Sequence, residues 1–582
     1  TRLNLDKEGS GTLVLKGSDF EMGRVRPLGG KLIIAPPDGE ETCRLTLANF
    51  SKTTEASGAV VVSNAAITQS GASMTWYNNT DVTFAGCTIT SENNWYPANR
   101  TMINGSTVSG GGTASLTLDN SDVTIDGELF VGYYSTANQN CSCEFIITND
   151  ATLTVNKVFY GRYGNVRQYS GHVKANYTGG GAMRLGSCGG WGSFHYHLYG
   201  GTLEHSRSGS SATFSIGFYE NSNTSGNLHV YPGGLFISRG RNGYIGRYAN
   251  NRGNLFVKGG TVQMTYSGAP LNVGYLGHGR LEVCDGGVVD INGPVVSLPV
   301  SATTGRTGVV ELQTNGTVTA RALYSTCTND TAELTFDGGA FVAKAGARAP
   351  LISGFTQAYV GIGGGTIDTA GQDLAVEQNF AAREGQTWAA RVGGDALLTA
   401  PAFTKEGAGT LTLTGTNTYA CATCVSNGTL IAACEGALPE TTTLRLGPGG
   451  TIDLGGESHT VENLIGAGTV ANGALAVTGT VYPGHGEGTL TVMSDATLAV
   501  KKIAYTVAED GTCGLLKVDG ALDLTGVEIT VDNPEAAKRG LRLVEAQSIT
   551  GVPTCSLSGK YAITVSGGHL RLVRNGIQLI IR

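Results

Sequence analysis

Val131-Gly132-Tyr133-Tyr134, Tyr160-Gly161-Arg162-Tyr163, Leu185-Gly186-Ser187-Cys188, Ile216-Gly217-Phe218-Tyr219, Ile245-Gly246-Arg247-Tyr248 and Val273-Gly274-Tyr275-Leu276 are one phrase repeated along the chain. Its glycines lie 29, 25, 31, 29 and 28 residues apart. After most of them comes a short alternating run and a Gly-Gly corner. Leu255-Phe256-Val257-Lys258-Gly259-Gly260 and Leu281-Glu282-Val283-Cys284-Asp285-Gly286-Gly287 are examples. A period of this length, holding short strands and no helix, describes a β-solenoid. One coil cannot bury its own inward apolar face, so coils must stack. Alternation such as Leu411, Leu413 or Ile452, Leu454 turns every second side chain inward. Gly, Asn-Gly and Asp-Gly supply the left-handed corners of a tight coil. Only short stretches, such as 534–539, read as helical. At about 27 residues per coil and about 4.8 Å per layer, some 20 coils would make an elongated rod on the order of 100 Å.

The composition agrees. Of 582 residues 88 are Gly and only 15 are Pro, so glycine stands at about twice its usual share of about 7%. No Gly-x-y register persists, which excludes collagen. Apolar residues make up 40% of the chain, enough for a core and too many for a disordered chain. A net charge of −7 without a basic block carries no nucleic-acid footprint and no polybasic membrane patch. No apolar run approaches the length of about 18 residues that a spanning helix needs. The sequence starts at Thr1, without Met or a signal peptide, and reads as a processed or excised form.

The stretch Thr404-Lys405-Glu406-Gly407-Ala408-Gly409-Thr410-Leu411-Thr412-Leu413-Thr414-Gly415-Thr416-Asn417-Thr418-Tyr419, followed by Val425-Ser426-Asn427-Gly428-Thr429-Leu430, resembles the autotransporter-associated passenger β-strand repeat. That family reads K-x-G-x-G-T-L-T-L-x-G-x-N-T-Y, then a short turn and G-x-L. Residues 443–483 continue in its style. A shorter copy opens the chain at Asp6-Lys7-Glu8-Gly9-Ser10-Gly11-Thr12-Leu13-Val14-Leu15. The resemblance implies a secreted or surface-displayed right-handed parallel β-helix, adhesive or structural. Two features depart from the family. Cys421-Ala422-Thr423-Cys424 stands in place of its small Gly/Thr turn. The final residues, Ile577-Gln578-Leu579-Ile580-Ile581-Arg582, do not follow a series of the roughly ten-residue alternating strands of a membrane barrel. The expected chain is therefore a stand-alone exoprotein or released passenger. Residues 1–400 would form the solenoid, 401–490 the passenger-type coils and 491–582 a closing β-region, with strands at 541–544 and 570–573.

Twelve cysteines are spread widely. Cys43 and Cys87, Cys143 and Cys188, Cys284 and Cys327, and Cys513 and Cys555 are separated by 44, 45, 43 and 42 residues. Such regular intervals suggest bridges between neighbouring layers, formed in an oxidising compartment. Cys421, Cys424 and Cys434 form a local group that can hold another. Buried free thiols are the alternative, since Cys is a good small core residue.

Several constellations bear on chemistry. Asn79-Thr80-Asp81 and Gly277-His278-Gly279 echo motifs of polygalacturonase-like hydrolases, which need clustered carboxylates. The two lie some seven coils apart, and no Asp-Asp pair occurs. Asp38, Asp126, Asp285, Asp337, Asp510 and Asp519 each precede Gly, the mark of a turn residue rather than a calcium ligand. His195 and His197, at i and i+2, point to the same face of a strand, with His205 nearby. No carboxylate or fourth ligand is evident, so they read as surface histidines and no metal or other cofactor is expected. Tyr134, Tyr163, Tyr219 and Tyr248 occupy equivalent positions of their coils and would form a ladder flanked by Arg162 and Arg247. Facing out, the ladder would offer a platform for sugars or a neighbouring molecule. Facing in or at a corner, it is aromatic stacking within the coils.

The leading expectation is a non-catalytic extracellular solenoid, structural or adhesive. Its partners would be further copies of itself, stacked head to tail to hide open strand edges, or cell-surface glycans. A polysaccharide lyase or hydrolase on the same fold, and a tailspike-like glycan-binding rod, are the alternatives.

Overall fold

The computed structural model describes residues 3–50, 58–69, 74–75, 80–96, 102–103, 106–107, 112–135, 139–177, 183–186, 192–206, 213–218, 224–298, 305–327, 329–383, 400–484, 488–557 and 559–575. The chain divides into two compact units, Thr1–Glu311 with Asn315–Glu333, and Leu312–Thr314 with Leu334–Arg582. Strands dominate both. Among the described residues the helical content is a 3-10 turn at Pro534–Ala536, within the stretch whose sequence reads as helical, and 3-10 backbone at Gly484. None of the described helices is long and apolar enough to cross a membrane.

Coils in the middle of the first unit each supply three strands. One coil runs Gly164–Gln168, His172–Ala175, Met183–Leu185, and the next Gly192–Leu198, Gly201–His205, Thr213–Ile216. Each strand pairs in parallel with its counterpart one coil on, residue for residue. The fold is a parallel β-solenoid, as the period demands. The second strand of each coil and the short third one extend a first sheet. The opening strands, such as Gly164–Gln168 and Gly192–Leu198, form a second.

Register turns alternation into columns. Phe145, Val166, Tyr196, Leu228, Leu255 and Leu281 follow one another down the inside of the second sheet, each fully buried. Burial of each side chain is worth about 1.5–3 kcal/mol relative to exposure. Tyr196 and Gln168 satisfy one another inside this core. Tyr196 Oη donates to Gln168 Oε1 at 2.7 Å, and Gln168 Nε2 donates to the carbonyls of Gly171 and Thr202.

The repeated glycine is the corner after the short third strand. Gly132, Gly186, Gly217, Gly246 and Gly274 have φ between +71° and +76°. At Gly246 a Cβ would also stand 2.1 Å from the His278 carbonyl of the next coil. Gly161 lacks a positive φ and is required for a different reason: a Cβ there would meet the Phe194 ring at 2.3 Å.

In the second unit the strands lengthen. Gly365–Asp368 and Leu374–Val376 pair with Ala402–Glu406 and Thr410–Leu413, and these two pair with successive halves of Ala422–Ala432. Thr443–Asp453, Gly473–Pro483 and Ala496–Thr506 are equally long, and register shifts mark where they turn a corner. Tyr561–Ser566 and His569–Arg574 form an antiparallel hairpin whose second strand lies antiparallel to Leu541–Thr550. The strands expected at 541–544 and 570–573 lie in this arrangement.

The interval between Cys43 and Cys87 has a different physical origin from bridging. Cys43 pairs with Ala65, and Ala66 with Thr88, so Cys43 and Cys87 occupy one position two coils apart with Ala65 between them. Two layers are about 9–10 Å, beyond the Cα separation of about 7 Å that a disulfide can bridge. Cys43, Cys87, Cys143, Cys284, Cys327, Cys421, Cys424, Cys434, Cys513 and Cys555 are free thiols in this structure. Cys188 lies outside the described residues. Burial raises several of these thiols out of the reactive range, Cys87 and Cys513 to about 11 and Cys421 to about 12. Cys87 Sγ donates to the Val62 carbonyl at 3.2 Å. Cys43, Cys87, Cys143, Cys284 and Cys421 are buried and behave as small core residues.

Candidate functional site

The outer face of the second sheet gathers the chemistry of the first unit. On Gly192–Leu198 the residues Phe194, Tyr196 and Leu198 are buried, which turns His195 and His197 outward together. Strand register then builds columns across coils. Asn165, His195, Asn227, Asn254 and Arg280 stand in one; Arg167, His197, His229, Phe256 and Glu282 stand in the next. Rings pack face to face along them. His197 and His229 are 4.6 Å apart, His195 and His229 5.7 Å, and His229 and Phe256 4.8 Å, all within 15° of parallel. Beside them Tyr169, Tyr199 and Tyr231 stack at 5.2 and 4.6 Å.

Hydrogen bonds tie the face together. His195 Nδ1 lies 3.4 Å from His229 Nε2, and His197 Nδ1 lies 3.3 Å from Tyr231 Oη. Asn227 Nδ2 donates to the Phe194 carbonyl and lies 3.5 Å from His195 Nε2, while Asn254 Nδ2 donates to Asn227 Oδ1 at 2.8 Å. Arg167 pairs with Glu144, and Lys258 with Glu282 at 3.6 Å. Burial lowers the pKa of all three histidines. Repulsion from neighbouring imidazoles and cations takes His197 further, to about 4, and His229 to about 3. All three are neutral at pH 7.

His205, expected near the other two, does not join them. It points into the core, where Nδ1 lies 3.0 Å from Ser238 Oγ and burial lowers its pKa to about 4. The third member of the cluster is His229, 32 residues after His197. One coil of sequence hides it from any local motif; only a register drawn across coils would have found it.

A second column lies on the short third strands of the first sheet. Phe130, Tyr160, Arg184, Ser215 and Tyr244 are register partners in successive coils. Phe130 and Tyr160 stack at 4.6 Å. Arg162 lies 4.4 Å over Phe130, Arg184 4.2 Å over Phe218, and Arg247 4.6 Å over Tyr244. Arg162 packs on the stacked Phe130–Tyr160 pair, Arg184 contacts both Tyr160 and Phe218, and Arg247 contacts both Phe218 and Tyr244, with Tyr163 and Tyr248 half-buried nearby. Tyr248 meets Phe218 edge-on at 5.1 Å. The Tyr134 side chain and Tyr219 lie outside the described residues. In both columns the ring faces are spent on neighbouring rings and guanidinium groups, which leaves edges and polar tips for solvent.

The hydrolase-like fragments stay apart. Asp81 and His278 lie on second-sheet strands seven pairings distant, about 34 Å at the usual strand spacing. The described carboxylates before glycine serve turns and ladders. Asp126 accepts from Asn156, Asp337 from the Gly363 backbone N–H, and Asp510 from Thr512.

In the second unit the residues of the sequence repeat have structural work. Lys405 is buried, and its ammonium donates to the carbonyls of Glu406, Gly407 and, one coil on, Asn427. Gly428, at φ +69°, passes so close that a Cβ would lie 2.5 Å from the carbonyls of Gly407 and Gly409. Asn417 receives the Phe380 N–H and donates to the Gly415 and Ala437 carbonyls. Tyr419 Oη pairs with Thr423 Oγ1 at 2.7 Å, deep in the core. The opening copy repeats the device. Lys7 Nζ donates to the carbonyls of Glu8, Gly9 and, one coil on, Gly29.

Parallel coils closed by lysine-capped glycine corners make the protein a β-solenoid. Residues 403–432 match the family model described as Passenger-associated-transport-repeat, so this segment carries the autotransporter passenger repeat. A search of curated proteins finds no match to the chain.

Proposed function

We propose that the chain is an extracellular, surface-associated β-solenoid with a non-catalytic, structural role, and that it works by associating with further copies of itself. The observation that carries this reading is the passenger repeat at 403–432, whose signature residues Lys405, Gly428, Asn417 and Tyr419 all hold coils together. The ring columns support it, because rings that spend their faces on one another stiffen a stack and are poor sugar platforms. Electron microscopy of the purified chain across a concentration series tests it. Filaments that lengthen with concentration are the expected result; isolated particles at every concentration would overturn it.

A second reading, adhesion to acidic glycans, rests on a groove of about 330 Å3 lined by Arg252, Asn254, His278, Arg280 and Thr307. The Arg252 guanidinium in this groove suits a sugar carboxylate, while Arg280 is held by Glu282 and Glu311. Binding of uronate oligosaccharides that is lost in Arg252→Ala would favour it over self-association.

A further inference from the structure

Three imidazoles gather on the outer face of the second sheet. His195 and His197 stand two residues apart on one strand, and His229 lies directly across from His197 on the next. A ring nitrogen from each lies within 4.8 Å of the other two, and His195 Nδ1 is 3.4 Å from His229 Nε2. A tetrahedral ion with bonds of about 2.0–2.1 Å to nitrogen holds its donors about 3.3 Å apart. The geometry points to a mononuclear site for a divalent transition ion of the zinc, copper or nickel class, held by His195, His197 and His229 with a further position open to solvent.

The donor set selects the class. Imidazole nitrogens without carboxylate oxygens suit zinc, copper and nickel, and do not suit magnesium or calcium. The rings now lie side by side within 15° of parallel, so their in-plane lone pairs run alongside one another. Convergence on one ion takes rotation about χ2, a broad and soft torsion, with no movement of the paired strands. An outer partner is in place at His197, where Tyr231 Oη stands beside Nδ1. Such partners set tautomer and ring orientation in histidine sites. The nearest cations are offset, Arg167 by Glu144 and Lys258 by Glu282. Half-buried, the cluster keeps a side open for water or a donor atom from a bound molecule.

Calorimetric titration of the full chain with Zn2+ and Ni2+, together with electron paramagnetic resonance of the Cu2+ form, tests the site. The expected result is one ion per chain, with nitrogen hyperfine structure in the Cu2+ spectrum that separates imidazole from thiol ligation. Affinity should fall about tenfold or more in His229→Asn and in His195→Asn, and stay unchanged in His278→Asn. Far-UV circular dichroism and metal-free melting of each variant, equal to the parent's, would assign the loss to the ligand. Absence of saturable binding in the micromolar range would overturn the site. So would binding that survives replacement of all three histidines by Asn, or a Cu2+ spectrum of sulfur ligation.

Discussion

Lys405 carries a positive charge into the core and keeps it there because three backbone carbonyls close around it. A neutral side chain of similar length takes the ammonium from the Gly407 and Asn427 carbonyls, while the Glu406 carbonyl keeps the Thr369 N–H, and buried orphaned acceptors cost about 1–3 kcal/mol each. Lys405→Met should therefore lower the unfolding free energy of the second unit by about 3 kcal/mol, read as a drop in the urea midpoint. Lys7→Met should do the same to the first unit. In the first unit Arg306 and Asp330 are a buried pair, 2.7 Å apart, with the Arg306 backbone N–H and the Cys327 thiol also on the carboxylate. Burial pushes Asp330 up, but these contacts outweigh it and hold the carboxyl below its usual value. A depressed carboxyl stabilises the fold above the unfolded value near 3.8 and loses that contribution as pH falls through the folded value. Asp330→Asn should cost about 3–5 kcal/mol at neutral pH and flatten the acid limb of the stability profile below pH 4. The repeat made Lys405 visible in the sequence. Nothing local marks Arg306 and Asp330, whose partnership depends on the path of the chain between them.

Corners decide the element scale. Gly246 combines φ +71° with a carbonyl 2.1 Å from where a Cβ would stand, whereas Gly286 has φ +79° and open space around it. Gly286→Ala should cost only the left-handed backbone term, about 1–2 kcal/mol. Gly246→Ala must in addition push neighbouring coils apart, and should lower the melting temperature of the first unit by clearly more. Equal melting temperatures for the two variants would show that the corner yields freely. The recurring Val/Ile/Leu-Gly phrase made these corners legible before any coordinates. The aromatic column was legible only in kind. The phrase pointed to the tyrosine two positions after the glycine, yet at Phe130, Tyr160 and Tyr244 the stacked ring stands before it. Arginine two coils away enters the same column. Which ring meets which cation follows from the register between coils, and period alone does not specify register to one residue.

Five histidines of the first unit act in one direction. His195, His197, His205, His229 and His278 are all held below their ordinary value by burial, with neighbouring charges adding to it at His197, His229 and His278. The unfolded chain binds more protons than the folded one between the folded values and 6.5, so stability rises with pH in that window. It is complete above about 6.5 and lost as pH falls towards 4. His205, fully buried and shifted from 6.5 to about 4, alone accounts for on the order of 3 kcal/mol. Denaturant midpoints should therefore fall between pH 6.5 and 4, and His205→Gln should remove much of that slope. A flat profile in this range would mean that the buried histidines are solvated.

The amino-acid sequence by itself determined the architecture. A period of 25–31 residues with alternating apolar positions and glycine corners admits stacked parallel coils and little else, because no single coil can bury its own inner face. It also placed the lysine-capped repeat at 404–430 and paired His195 with His197 on one face. Tertiary structure alone decided what meets across coils. It replaced His205 by His229 in the imidazole cluster, set Ala65 between Cys43 and Cys87, and put guanidinium groups between rings. The reason is physical: a strand reports which face a side chain takes, but its neighbours there come from other coils, and their alignment is fixed by the length and shape of every intervening corner.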